Sequence, residues 1–541
     1  MKICLRLFVA LGFLLVSVHA VSAQDLPTVR IQNGASQLIV RGKPFLVLGG
    51  ELGNSSAGTA AQADSILPRL AQLHLNTVLM PVAWDEIEPQ EGHFDFSILD
   101  HWIEVARQQH VHLVILWFGS WKNAFSNYAP EWVLSDTKRF PRSISADGLP
   151  LEILSPLGQE TARCDSRAFA VLMHHIHNED AEQNTVLMIQ VENEIGYLGT
   201  GGRDRSKEAN KLFQGPVPAQ LSHALEEPRV AHEAVAYFNP AGHTWKEMFG
   251  NSADEVFMAW QYGLFANQVA EAGKKEYGLP MYMNAQLPAP FEQSGEYPSG
   301  GPHPEYLAVY RTAAPSIDFY SPDIYWPDFE NWVQRYRAAG NPVFVPEARL
   351  ELAPFNALYT YGEARGFGYS PFAVDSLPAN DAPAQQGPRL SDEYKALDDL
   401  SDLILQGQQA NKTRGLVLHE TSPRATRTVA LGGFLFRATL SRGWPARNLL
   451  TPDGAMMVLE TAPNEFYVLG SGLTVTFIRD PDVDDQIAGI ANIDQISEDH
   501  GKWVVVRQLN GDQSNQGREL SMDPHEFRVY RVKLYTYSSK N

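Results

Sequence analysis

Between Pro44 and Gln409 short apolar runs alternate with longer stretches of helical periodicity. The runs are Phe45–Leu48, Thr77–Met80, Val111–Leu116, Thr185–Gln190, Met281–Met283, Ile317–Tyr320, Val343–Val345 and a weaker one near Gly366–Val374. Helices are predicted between them near 61–73, 96–109, 166–178 and 253–277, and a last one over 392–409 closes the series. Unbroken apolar runs of this length read as strands buried on both faces, the signature of a parallel sheet. Eight strand–helix units make a (β/α)8 TIM barrel the leading architecture. The alternative, an open doubly wound sheet, is weakened because no G-x-G-x-x-G or P-loop pattern follows a strand.

The flanks have a different texture. Val29–Gln32 and Leu38–Val40 bracket Asn33-Gly34 and predict an entry hairpin. From about Lys412 the chain breaks into short β-like runs punctuated by Gly, Pro, Asn and Asp, among them Phe434–Thr439, Leu473–Phe477 and Phe527–Val532. Such a pattern predicts a C-terminal antiparallel β-sandwich over 412–541, after a barrel over 24–411. Residues 379–387 are rich in Pro, Ala and Gln and read as a loop. Residues 1–23 read as a secretory signal: Lys2 and Arg6, an apolar stretch from Leu7 to Val18, then Val21-Ser22-Ala23. That apolar stretch is too short to span a bilayer, and no other segment is apolar enough, so an exported protein, periplasmic or extracellular, with no membrane span is expected.

Composition refines the picture in three ways. Aromatics make up 11% of the 541 residues, which suits a site where rings stack on sugars as well as a filled core. The formal charge of −20 argues against a nucleic-acid partner and is compatible with a neutral substrate. The two cysteines are Cys4, which leaves with the signal, and Cys164, so the mature chain can form no internal disulfide. The histidines include no H-E-x-x-H pattern, and His174, His175 and His177 lack metal-ligand spacing, so no metal is expected.

In a barrel of this type the chemistry sits at the C-terminal ends of the strands. Two ends are acidic: the fourth runs into Glu192-Asn193-Glu194 and the seventh into Pro346-Glu347. Carboxylates there are costly unless paired or used. One reading pairs Glu194 and Glu347 with arginines, Arg349 being near in sequence. The other is glycosidic cleavage, which needs one carboxyl protonated to donate to the leaving oxygen and one ionised to attack the anomeric carbon. Asn193 could bind the sugar 2-hydroxyl. Further candidates for substrate binding are Glu51 after the first strand, Trp84 after the second, Trp121 and Asn123 with Trp117 and Lys122 after the third, and Tyr325 and Trp326 after the sixth. Asn284, after the fifth, is weaker. Strand alternation would put Glu192 and Glu194 on one face, and spacing alone does not choose between them.

A resemblance chooses. Gln190-Val191-Glu192-Asn193-Glu194-Ile195-Gly196 resembles the acid/base motif of glycoside hydrolase family 35, the β-galactosidases. Leu75–Val78, Trp84, Glu88-Pro89, Gly92 and Phe94-Asp95-Phe96 are similar to that family's second-strand region, and Pro130-Glu131-Trp132 to its third-loop element. The resemblance implies that Glu194 is the acid/base, that Glu192 supports it from behind, and that Glu347 is the nucleophile of a retaining glycosidase, with Tyr325 hydrogen-bonded to it. The Pro-Glu-Ala-Arg context of Glu347 looks more like a bacterial branch with affinity to family 42. The implied activity is removal of terminal β-galactose from oligo- or polysaccharides such as xyloglucan, without a cofactor. An α-L-arabinosidase, a β-glucosidase and a noncatalytic carbohydrate-binding protein remain as alternatives, and the oligomeric state is left open.

Overall fold

The computed structural model describes residues 26–227, 238–326, 328–377, 390–419, 426–441 and 453–538. The expected signal segment and the loop over 379–387 lie outside the described residues.

Eight parallel staves form the barrel: Val47–Glu51, Thr77–Ala83, His112–Phe118, Val186–Val191, Met281–Gln286, Phe319–Ile324, a seventh in two pieces, and Gly368–Tyr369. The seventh is Phe344–Val345 and Glu347–Ala348, separated by Pro346, which has no N–H to give to a ladder. Its first piece pairs with the eighth strand and its second with the sixth, so this one interrupted stave closes the ring. All ladders between staves are parallel and nearly every stave residue is buried, which is why the strands read as plain apolar runs.

Helices cover the outside, several of them through one apolar stripe. The helix Ala60–Gln72 is capped by Thr59, whose hydroxyl accepts the Gln62 N–H, and it buries Ala63, Ile66, Leu67 and Leu70. Ser97–Gln109 ends at His110 in the left-handed conformation. Gln159–Asp180 begins seven residues before the predicted start and packs along the long, mostly buried helix Ala253–Glu276. No described helix is long and apolar enough to cross a membrane.

Three short antiparallel strands, Thr28–Gln32, Ala35–Val40 and Lys43–Phe45, precede the barrel, turning at Asn33-Gly34 with positive φ at both residues. They carry Leu38 and Val40 into a cluster with Leu79, Leu116, Met188, Phe319, Phe344 and Phe367. That packing fills the N-terminal end of the barrel and leaves the other end for the site.

The C-terminal region is two antiparallel sheets face to face. Six strands (Thr413–His419, Asp453–Ala462, Glu465–Ser471, Arg528–Ser538, Gln486–Asp499 and Lys502–Gln508, in that order) lie over four: Thr426–Leu431, Phe434–Leu440, Leu473–Arg479 and Glu519–Ser521. Both inner faces share one core around Phe434, Phe436, Met456, Phe466 and Val475. The 14-residue strand Gln486–Asp499 escapes sequence reading because only three of its positions are buried and its apolar residues are small or scattered rather than in one run. The barrel helix Ala353–Gly362 lies against strands Thr413–His419 and Asp453–Ala462, with all ten of its residues buried.

Candidate active site

Several strands run further than their apolar runs, and part of the site is built from those extra residues. Glu51, Asn284, Asp323 and Glu347 all lie within barrel strands, at or near their C-terminal ends, and every one is buried. The fourth strand stops at Val191, and Glu192 and Glu194 then take left-handed backbone, with φ of 61° and 45°. Positive φ at two glutamates is strain of the kind that clusters at functional sites. It also breaks the expected alternation. Glu192 turns back and accepts the Trp121 backbone N–H at 2.9 Å, beside Asp165. Glu194 faces the cavity, and its N–H donates to Asn284 Oδ1 at 2.9 Å. The two do not share a face, because alternation requires extended backbone.

One carboxylate oxygen each from Glu194, Asp323 and Glu347 lies within 4.8 Å of the others. The Asn284 amide donates to Asp323 Oδ2 at 2.6 Å, and the Tyr325 hydroxyl donates to Glu347 Oε1. Burial, and then the Glu347 charge, push the Glu194 carboxyl up to about 7, against the pull of Lys122. Asp323 and Glu51 are held well above the usual carboxylate range by burial and by the same neighbouring charges. Burial and then Glu347 push the Tyr325 phenol far above its ordinary value, so it remains a donor. The reading that pairs the glutamates with arginines fails: Arg349 is exposed, and among the described residues no arginine pairs with Glu194 or Glu347.

Residues 56–229 match the family model of glycosyl hydrolase family 42, described as beta-galactosidase. That stretch contains Glu194 and ends before Glu347. Residues 390–521, from the last barrel helix into the sandwich, match a domain of unknown function. No curated protein matches the chain. Solved structures similar to it include the catalytic domain of beta-amylase from Paenibacillus polymyxa, at 11% identity over 63% of this chain and 95% of that one, TM-score 0.44. Beta-mannanase from the blue mussel Mytilus edulis follows at 13%, 70%, 98% and 0.42. Beta-galactosidase from Marinomonas ef1 stands at 11%, 67%, 60% and 0.42. At such scores these likenesses decide nothing about chemistry, which rests on the residues.

The other expected site residues divide. Asn193 is fully buried with neither amide atom partnered among the described residues, as a group awaiting a ligand would be. Glu51 faces the cluster, its carboxyl against that of Glu347 and otherwise without a partner among the described residues. Trp326 is exposed at the rim, its indole N–H on the Leu287 carbonyl at 3.1 Å. Trp84 is not a sugar platform: it is fully buried, its N–H donates to Glu88 Oε2 at 2.9 Å, and its ring meets Trp132 edge-on. Since Arg167 pairs with Glu88, the second-strand and third-loop motifs form a brace behind the site. Trp121 is likewise core, with its indole on Leu154 O at 3.1 Å, and it serves the site through its backbone, which also accepts the Asn193 N–H at 3.2 Å. Asn123 is exposed at the tip of a turn, and the residue that the turn sends inward is Lys122. Asp323 was not singled out from the sequence, although an acid just past the sixth apolar run is the signal that marked Glu347. The Ser321-Pro322 between them reads as a turn and hides it.

Proposed function

We propose that the chain is an exported, retaining exo-β-galactosidase that removes terminal β-galactose from oligo- or polysaccharides, galactosylated xyloglucan being one fitting substrate. The observation that carries this reading is the closeness of Glu194 and Glu347, with carboxylate oxygens within 4.8 Å. Retaining pairs stand about 5–5.5 Å apart, whereas inverting pairs need about 6.5–9.5 Å to admit a water. Glu347, oriented by Tyr325, attacks the anomeric carbon while Glu194 gives its proton to the leaving oxygen. A glycosyl-enzyme forms on Glu347. Glu194, now ionised, takes a proton from water, which displaces the sugar with net retention. Asn193 hydrogen-bonds the 2-hydroxyl, where contacts tighten in the transition state. The β-galactosidase family match over the Glu194 half of the barrel and the resemblance of its motif to family 35 support the choice of galactose.

The test is hydrolysis of a panel of nitrophenyl β-glycosides by the wild type and by Glu347→Gln, with the first product followed by NMR. Cleavage of the β-galactoside, β-galactose as the first anomer, and a folded but inactive variant are expected. The α-anomer appearing first would mean inversion and overturn the reading.

A further inference from the structure

The mechanism above uses Glu347, Glu194, Tyr325 and Asn193 and leaves Lys122 idle. Lys122 and Phe125 exchange backbone hydrogen bonds of 2.8 and 3.0 Å, and Asn123 and Ala124 between them have positive φ. This tight turn after the third strand sends the lysine inward, its ammonium 5.1 Å from the centre of the Phe118 ring. The residue is only 3% exposed. A buried ammonium is costly unless it is paired. Yet among the described residues it makes no hydrogen bond and no contact ion pair; Glu347, Glu194, Glu51 and Asp323 act on it from further away. Burial pulls its pKa down, and the attraction of those four carboxyls outweighs that pull. Glu51 is its counterpart on the first strand: 1% exposed, within the field of Lys122, its carboxyl against that of Glu347 and otherwise without a partner among the described residues. A buried ammonium with no acceptor, in the field of a buried carboxyl that only another carboxyl meets, fits a group that both accepts and donates, which a hydroxyl does.

We propose that Lys122 and Glu51 grip one hydroxyl of the glycone, the ammonium donating to its oxygen and the hydroxyl donating to Glu51. The inference rests on the reading that a sugar ring occupies this cavity, and it adds which side chains discriminate among sugars. Lys122 is a better anchor than a neutral donor because a charge-assisted hydrogen bond is the stronger kind.

The test compares β-galactosides lacking the 3-, 4- or 6-hydroxyl, one at a time, on the wild type, Lys122→Met and Glu51→Gln. In the wild type one deoxy substrate should lose about 10- to 100-fold in kcat/KM, the scale of a hydrogen bond to a charged group. In both variants that same penalty should shrink to within about threefold, because the partner it reports on is already gone. A penalty retained in Lys122→Met, with all substrates slowed alike, would make the lysine a purely electrostatic neighbour and overturn the clamp. Calorimetric binding of galactose and the deoxygalactoses by the same three proteins separates the two readings. Binding with the expected deoxy pattern but no hydrolysis would sink the proposed activity and leave the clamp standing. Binding that ignores Lys122 and Glu51 would sink the clamp whatever the activity. A thermal melt of each variant checks folding, and Lys122→Leu replaces Lys122→Met if the latter does not fold.

Discussion

At the scale of the residue, the chemistry depends on how burial divides protons among carboxyls. Glu194 is pushed up to about 7 by burial and by Glu347. In the proposed mechanism Glu194 is the acid of the first step and must be protonated, so kcat/KM for a substrate with a poor leaving group should fall about tenfold per pH unit above pH 7. A pH–rate profile on an alkyl galactoside measures this, and the alkaline limb should vanish in Glu194→Gln with an activated aryl galactoside. Glu393 shows the same physics away from the site. It is fully buried, neither oxygen has a partner among the described residues, and burial holds its carboxyl well above the usual range. The folded state therefore binds a proton that the unfolded chain releases above the ordinary glutamate range. Its penalty is absent at low pH and grows as pH rises towards the raised value. Glu393→Gln should accordingly raise the Tm at pH 8 by a few degrees and leave it unchanged near pH 4; a shift of equal size at both would tie the effect to packing rather than ionisation.

At the scale of the element, what matters is where strands end. At the first, fifth, sixth and seventh strands the apolar run stops short of the strand's end, because the last residues bear polar side chains that face the cavity. Sequence periodicity therefore located the staves and clipped the part that works, as at Asp323. Behind the fourth strand, packing is close. A Cβ on Gly119 would stand 2.4 Å from Trp117 Nε1, 2.8 Å from Glu192 Oε1 and 2.9 Å from Asp165 Oδ1. Gly119→Ala must shift the support that carries Asn193 and Glu194, at a cost of about 1–3 kcal/mol. Both the denaturation midpoint and kcat should drop. A variant with wild-type kcat would show that Glu192 does not hold the motif in place.

At the scale of the whole molecule, barrel and sandwich share a tight seam. A Cβ on Gly415 would meet Leu358 O at 2.6 Å, and one on Gly362 would meet Arg414 O at 2.7 Å, so backbone touches backbone there. Phe355 also packs against Phe527, and Arg427 pairs with Glu330. Helix Ala353–Gly362 has no solvent-facing side, which a barrel helix on its own would need. A chain ending at residue 410 is expected to aggregate or bind a hydrophobic dye, and the full chain to unfold in one calorimetric transition. Two separate transitions would mean that the sandwich is an appendage.

The sequence by itself determined the barrel, the entry hairpin before it, the sandwich after it, and the two acidic strand ends, because periodicity, turn residues and strand-terminal carboxyls are local signals. It left the roles of the aromatics open. Trp84 and Trp121 carry the same local signature as a sugar platform, and only their partners, Glu88 and Leu154, assign them to the core. It could not say that Glu192 and Glu194 part company, since that follows from two left-handed residues past the strand. Nor could it bring Glu51, Lys122, Glu194, Asp323 and Glu347 to one cavity. Residues nearly 300 positions apart meet there because the ring closes through a strand broken at Pro346, and closure is a property of the folded sheet rather than of any stretch of chain.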